Sequence, residues 1–311
     1  MTSKLIETLG EKLGEQWIAL SVTPAFIFWT GGLFLWIQNQ ITNGGPLEPV
    51  EQFAQLAAHE QVALVLCIVL VITASAAIVK GLGLFILRGL EGYWPGILRS
   101  LENAFRSRKE KRWEEWHKRY QELSGKSNGG QLRSGLTDAE NDEYDQLVQD
   151  KVRWMPAKKE QIMPTFLGNI LRTAERRPEV KYGLDAIICW PRLWLLLPSD
   201  ARNELIASRE RLDALAGLWL WGILFLVWTI YTPWALLSVL IPIIAYYYML
   251  QSAKRYGELI EAAFDVYRTS LYTSLRLPLP NNPGDEFEKG QQLTNYLWYG
   301  PVQDAGLVYK S

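Results

Sequence analysis

The stretch ALAGLWLWGILFLVWTIYTPWALLSVLIPIIAYYYML (Ala214–Leu250) runs for 37 residues without a charged side chain. Thr232-Pro233 divides it into two arms, Ala214–Tyr231 and Trp234–Leu250. Each arm, wound as an α-helix, is about 26 Å long, close to the ~30 Å hydrocarbon core of a bilayer. Two such arms joined by two residues form a tight helical hairpin. The run Val62–Val79 is likewise free of charge, with Lys80 and Arg88 flanking the apolar tail Gly81–Ile86. Trp17–Ile37 is a further charge-free run, carrying Phe26, Phe28, Trp29, Phe34 and Trp36. One such run is compatible with a buried core helix. Four, three of them edged by Trp or Tyr, predict an all-α polytopic membrane protein with four transmembrane helices in two hairpins and a helical cytoplasmic region.

The averages conceal this pattern. Mean hydropathy is -0.04 and the formal net charge is -1, because the charges are packed into the gaps between the apolar runs. That balance gives no electrostatic footprint for nucleic acid, which is not expected as a partner. Lys and Arg set the orientation. The connection 38–61 has neither, but carries Glu48, Glu51 and Glu60, and is expected outside. The segment 89–213 holds 22 Lys and Arg, densest just after the second run, and is expected in the cytoplasm. The chain then divides into an N-terminal cytoplasmic helix (1–16), a first hairpin (17–88), a helical insert (89–213), a second hairpin (214–251) and a helical cytoplasmic tail (252–311). Both termini fall inside. Glu7, Glu11 and Glu15 interrupt residues 1–16, which do not have the order of a cleaved signal.

Within the insert, Leu98, Leu101, Phe105, Arg112, Trp116, Tyr120 and Leu123 recur at three- and four-residue steps, a helical stripe. Gly125, Gly129, Gly130 and Gly135 mark a loop, and Thr137-Asp138-Ala139-Glu140 fits a capping box opening an antiparallel partner helix. A helix is expected over Thr165–Arg176. Leu184–Leu197 is strongly apolar, but Asp185, Arg192 and Pro191 interrupt it, so it is too short to span and its helix is expected to break at the proline. Two readings fit: an interfacial segment with Trp190, Arg192 and Trp194 at headgroup depth, or the buried centre of the insert. Ser199 is placed to cap the next helix. After the fourth run, Tyr256, Ile260, Ala263, Tyr267, Leu271 and Leu275 form a seam suited to the insert or to a second subunit.

The segments LGNILRTAERRPEVKYGLDAIICWPRLWLLLP (Leu167–Pro198) and YGELIEAAFDVYRTSLY (Tyr256–Tyr272) resemble those of uncharacterised bacterial four-span integral membrane proteins. The resemblance covers about a sixth of the chain. It implies a bacterial inner membrane and brings no activity or site residues with it.

Catalytic constellations are sparse. His59 and His117 are expected on opposite sides of the membrane and cannot share a metal ion. Cys67 and Cys189 read as small apolar residues. Phosphate-loop and nucleophile-elbow motifs are absent, and the acidic run Asp138, Glu140, Asp142, Glu143 and Asp145 lacks the central glycine of a calcium loop. No catalytic, cofactor or metal residue is assigned, and no cofactor is expected. Arg106, Arg108, Lys109, Lys111 and Arg112 can meet anionic lipid headgroups or form a solvated face with Glu110, Glu114, Glu115 and Glu122. The apolar runs contain no ionisable group to relay charge, which disfavours an ion-coupled carrier. Two classes stand: a non-catalytic, homo-oligomeric docking or sensing platform with the bilayer and a cytoplasmic protein as partners, and an oligomeric pore lined by Thr23, Thr30, Thr73 and Ser75.

Overall fold

The computed structural model describes residues 22–44, 48–126, 136–153 and 155–300, and the regular structure among them is entirely helical. In chain order the helices are α1 (Thr23–Asn43), α2 (Glu48–Gln55), α3 (Ala58–Gly81), α4 (Gly83–Glu91), α5 (Arg99–Lys126), α6 (Asp138–Arg153), α7 (Phe166–Tyr182), α8 (Ala186–Leu196), α9 (Ser199–Phe225), α10 (Leu240–Ser274) and α11 (Pro283–Tyr299). Two short 3-10 segments, Leu226–Ile230 and Pro233–Val239, form the tip of the second hairpin around Thr232. The expected N-terminal helix (1–16) and residues 17–21 of the first apolar run lie outside the described residues.

Among the described residues, three helical stretches are long and apolar enough to cross a membrane: Ala58–Gly81, Ser199–Ile230 and Pro233–Ser274. The sequence predicted four. The described part of the first run lies in α1, which also takes in the amides Gln38, Asn39, Gln40 and Asn43. Those amides dilute its apolar density, and Gly44 ends it in the left-handed region at φ 65°. The connection expected as an outer loop is itself largely helical, because α1 runs on to Asn43 and α2 follows. Pro24 and Pro242 each sit in a first turn, where an amide has no helical acceptor to lose.

The chain divides into two compact units, Met1–Leu87 with Arg211–Met249, and Arg88–Glu210 with Leu250–Ser311. In the first unit α1 and α3 meet around Ala25, Ile72, Ala76 and Val79, with Trp221 of α9 in the same cluster. Phe28 is ringed by Trp221 at 5.2 Å, Trp228 at 5.4 Å and Phe225 at 6.2 Å. The Trp228 ring lies where a Cβ on Gly32 would stand, 2.1 Å away, so only glycine admits this approach. The outward faces are apolar: Leu64, Val65, Leu66, Ile68, Val69, Leu70 and Val71 of α3 are all exposed.

The second unit has a conventional helical core. The capping box forms as the spacing predicts, with the Glu140 amide donating to Thr137 Oγ1 at 3.3 Å and the Thr137 amide to Glu140 Oε2 at 3.0 Å. Arg119 grips Glu143 through two hydrogen bonds of 2.8 and 2.7 Å, Lys126 reaches Glu140 at 2.7 Å, and Tyr120 stacks on Tyr144 at 5.7 Å. The pairing order makes α5 and α6 antiparallel. Two expectations are corrected here. α7 runs through Pro178 to Tyr182, and α8 is one helix through Pro191. Each proline costs one backbone hydrogen bond. The packing of both helices into the core outweighs that local loss. Ser199 is the first residue of α9, one place later than a cap; its hydroxyl turns to Asp200 at 3.4 Å.

Candidate functional site

Arg106, Arg108, Lys109, Lys111 and Arg112 occupy consecutive turns of α5, so helical geometry must fan them around the axis. Arg106 turns inward: its Nη2 donates to the Glu160 carbonyl at 3.0 Å, and its Nε lies 3.7 Å from Glu110. Lys109 also turns inward, its Nζ 3.1 Å from the centre of the Phe166 ring, a cation–π contact. Arg108 leans over Phe105 at 6.0 Å, and Lys111 and Arg112 are exposed. The five cations therefore do not make one patch. They divide between a tether to the Lys159–Phe166 segment and an outward basic edge.

A small cavity of about 20 Å³ lies beside Lys109, with walls that also include Arg112, Trp113, Met155, Ile162 and Phe166. Trp113 Nε1 donates to the Pro156 carbonyl at 2.9 Å, and its ring stacks on His117 at 4.6 Å. Asn169 forms the floor. Its Oδ1 accepts from the Met163 amide at 2.8 Å, and its Nδ2 donates to the Met163 and Thr165 carbonyls. The Asn169 amide is spent on fixing that loop. Burial, with a smaller contribution from Arg112, lowers the Lys109 amine to about 8. The chemistry available is that of a half-buried amine, partly neutral near physiological pH, between an aromatic face and an arginine.

The second predicted group, Trp190, Arg192 and Trp194, lies on α8. Asp185 caps that helix by accepting from the Ile187 and Ile188 amides at 2.8 and 3.3 Å, and faces Arg176 at 3.7 Å. Arg192 Nη1 donates to the Ile188 carbonyl at 2.8 Å, so Asp185 and Arg192 are each engaged elsewhere than with one another. One face of α8 (Ala186, Cys189, Leu193) is buried in the core of the second unit. The opposite face shows Ile187, Pro191 and Leu195 to the outside. Trp190 and Trp194 sit between, half-buried, with Trp190 stacked on Phe264 at 5.9 Å.

The third group is the seam of α10. Ile260, Ala263 and Leu271 are buried in the same core, and Tyr256, Tyr267 and Leu275 pack at its edge. They meet α8 and α11 of their own chain. Three further residues, outside the predicted site groups, hold this arrangement: Arg177, Lys181 and Glu261. Arg177 Nη1 reaches both Glu261 oxygens at 2.6 and 2.7 Å, and Lys181 joins Glu261 at 2.9 Å and Asp265 at 3.0 Å. Burial opposes charge on Lys181, but the two carboxylates overcome it and raise the amine to about 12. Glu261 and Asp265 are one helical turn apart on α10, and that i,i+4 spacing was the available signal.

Burial pushes the Cys189 thiol up to about 11 despite a contact with Thr294, which leaves it protonated at neutral pH and a poor nucleophile. No three His, Cys, Asp or Glu side chains converge on a metal-sized space among the described residues. No family model, curated protein or solved structure matches the chain.

Proposed function

We propose that this chain is a non-catalytic integral protein of a bacterial inner membrane, a homo-oligomeric platform carrying a helical cytoplasmic region. In this reading α1 is the fourth span, completing two hairpins with both termini inside. The support is its freedom from charge and its seating of Phe28 and Gly32 against Trp221 and Trp228. The Lys and Arg distribution supports the orientation. Homo-oligomerisation draws on the exposed Ala74 and Ala77 and the half-buried Thr73 of α3, where small side chains let a second helix approach closely.

The observation that favours a platform over a pore concerns the span hydroxyls. Thr30 donates to the Phe26 carbonyl at 2.7 Å and Thr73 to Val69 at 2.7 Å. Ser75 donates to Ile72 at 2.8 Å and accepts from Trp29 Nε1 at 3.1 Å. Having donated their protons inside their own helices, these hydroxyls have none left for a permeating anion, and the Ser75 oxygen is engaged by Trp29 as well. The test is reconstitution into planar bilayers together with mass measurement in nanodiscs. The platform reading expects a multimer without unitary conductance. A stable conductance removed by Thr73→Val replaces it with the pore, and a monomeric mass removes the assembly.

A further inference from the structure

The apolar stripe of α5 is covered along only half its length. In the lower half Trp116 and Leu123 are buried, Tyr120 stacks on Tyr144, and Trp113 is tied to Pro156. In the upper half Leu98, Leu101 and Phe105, on the same face by their spacing, are exposed. Ile97, in the turn leading into α5, is 94% exposed, and Tyr93 is exposed as well. Trp94 lies edge-on to Phe105 at 5.7 Å, its Nε1 already donated to the Gly89 carbonyl, so it offers the ridge an apolar ring. A run of bare Ile, Leu, Phe and Tyr side chains on a water-facing surface is uncommon without a partner.

Charge and chain position identify the partner. Arg88, Arg99 and Arg108 are exposed around the ridge, and Arg108 leans over the Phe105 ring. The acids within the same stretch, Glu91 and Glu102, are half-buried. Apolar side chains bordered by outward arginines match the boundary between acyl chains and anionic headgroups. The ridge also follows the apolar helix Ala58–Gly81 directly, with only α4 between them. We infer that the Tyr93–Phe105 ridge is an interfacial anchor that enters the headgroup zone of the bilayer and holds anionic lipid through Arg88, Arg99 and Arg108. The inference rests on the membrane reading proposed above.

The test uses the full chain, with Cys67 and Cys189 replaced by alanine, in phosphatidylcholine vesicles with or without phosphatidylglycerol. Single nitroxide labels go at Ile97, Leu101 and Phe105, at the exposed Ser100, turned about 100° round the helix axis from Leu101, and at Leu70 in α3. The ridge labels are expected to collide with oxygen in preference to a water-soluble nickel chelate, and Ser100 to do the reverse. Omitting phosphatidylglycerol, or introducing Ile97→Asp, should lower that preference at Leu101 severalfold. If Leu70 reports lipid and the ridge labels report water, the anchor is wrong while the membrane reading stands. Water at Leu70 too overturns both. Ridge labels shielded from both reagents, or broadened by a neighbouring copy, mean that protein covers the ridge and the inference fails. A preference indifferent to phosphatidylglycerol removes the arginine–headgroup contact.

Discussion

Gly290→Ala gives a test whose sign, not only its size, is diagnostic. In an ordinary helix interior this change stabilises by about 0.8–1 kcal/mol, because glycine has more backbone freedom to lose. Gly290 lies in α11 where that helix crosses the end of α7. A Cβ there would stand 1.8 Å from the Tyr182 carbonyl oxygen, about 1.5 Å short of ordinary van der Waals contact, and the obstacle is backbone. Gly183 faces it with φ +69°, its own Cβ position only 2.1 Å from the Phe287 carbonyl, so neither chain can yield by a rotamer change. Moving α11 away also stretches the bonds through Thr294, which donates to the Gly183 carbonyl at 3.2 Å and accepts from the Asp185 amide at 3.1 Å. Overpacking of this kind costs about 1–3 kcal/mol, and loss of the Thr294 link about 1 kcal/mol more. Set against the propensity gain, the net expectation is destabilisation by about 1–3 kcal/mol, or roughly 2–10 °C in melting temperature for a unit of this size. Differential scanning fluorimetry in detergent reads it, with Glu288→Ala in the same helix as the control. A Gly290→Ala protein that melts at or above the parent temperature refutes the close crossing.

Leu271→Asp, which places a carboxylate where the side chain is 1% exposed, should cost about 4 kcal/mol or more and unfold the second unit; unchanged melting with altered oligomer mass would instead put the α10 seam between subunits. Lys109 binds its proton less tightly in the folded chain than in the unfolded one, so the unfolded state carries more protons between about 8 and the ordinary lysine value. Stability should therefore rise with pH across that window relative to Lys109→Met, as melting curves from pH 7 to 10.5 will read; the Phe166 ring, which favours the cation, limits the slope, and equal slopes would contradict the burial. Glu261→Gln removes the negative charge that Arg177 and Lys181 share and turns one accepting oxygen into a donor, and should cost about 1–3 kcal/mol by chemical denaturation; no change would mean the network is solvated. Single cysteines at Asn43 and Asn128, in the Cys67- and Cys189-free background, should be labelled by an impermeant thiol reagent in intact cells only at Asn43; the opposite pattern reverses the topology.

The features legible in the sequence are those whose causes lie within a few residues. Thr137 and Glu140 announce their cap because both partners sit in one turn. The second hairpin is visible because Thr232-Pro233 is the only break in a charge-free run. The misreadings come from causes that are distant in the chain. Pro191 looks like a helix end, but α8 is held by a core built with α10 and α11, and one lost hydrogen bond does not decide. Arg106 and Lys109 look like members of one cationic patch until Glu160 and Phe166, more than fifty residues later, draw them inward.

The same contrast explains the two apolar surfaces that no helix of their own unit covers. On α8, residues at i, i+4 and i+8 (Ile187, Pro191 and Leu195) are exposed while Ala186, Cys189 and Leu193 fill the core. A sequence read by average hydropathy merges the two faces into one apolar stretch, which is why core and interface were both open for Leu184–Leu197. With the helix formed, the alternatives stop competing: the inner face is committed to the core, and the outer face is still available to lipid. On α5 the division runs along the axis, covered below Lys109 and bare above it. In each case the unspent surface is aliphatic and aromatic, with an arginine at its edge, Arg192 or Arg108. That composition suits a bilayer boundary better than water or an acidic protein surface, because the arginine can reach phosphate while its neighbours stay in hydrocarbon.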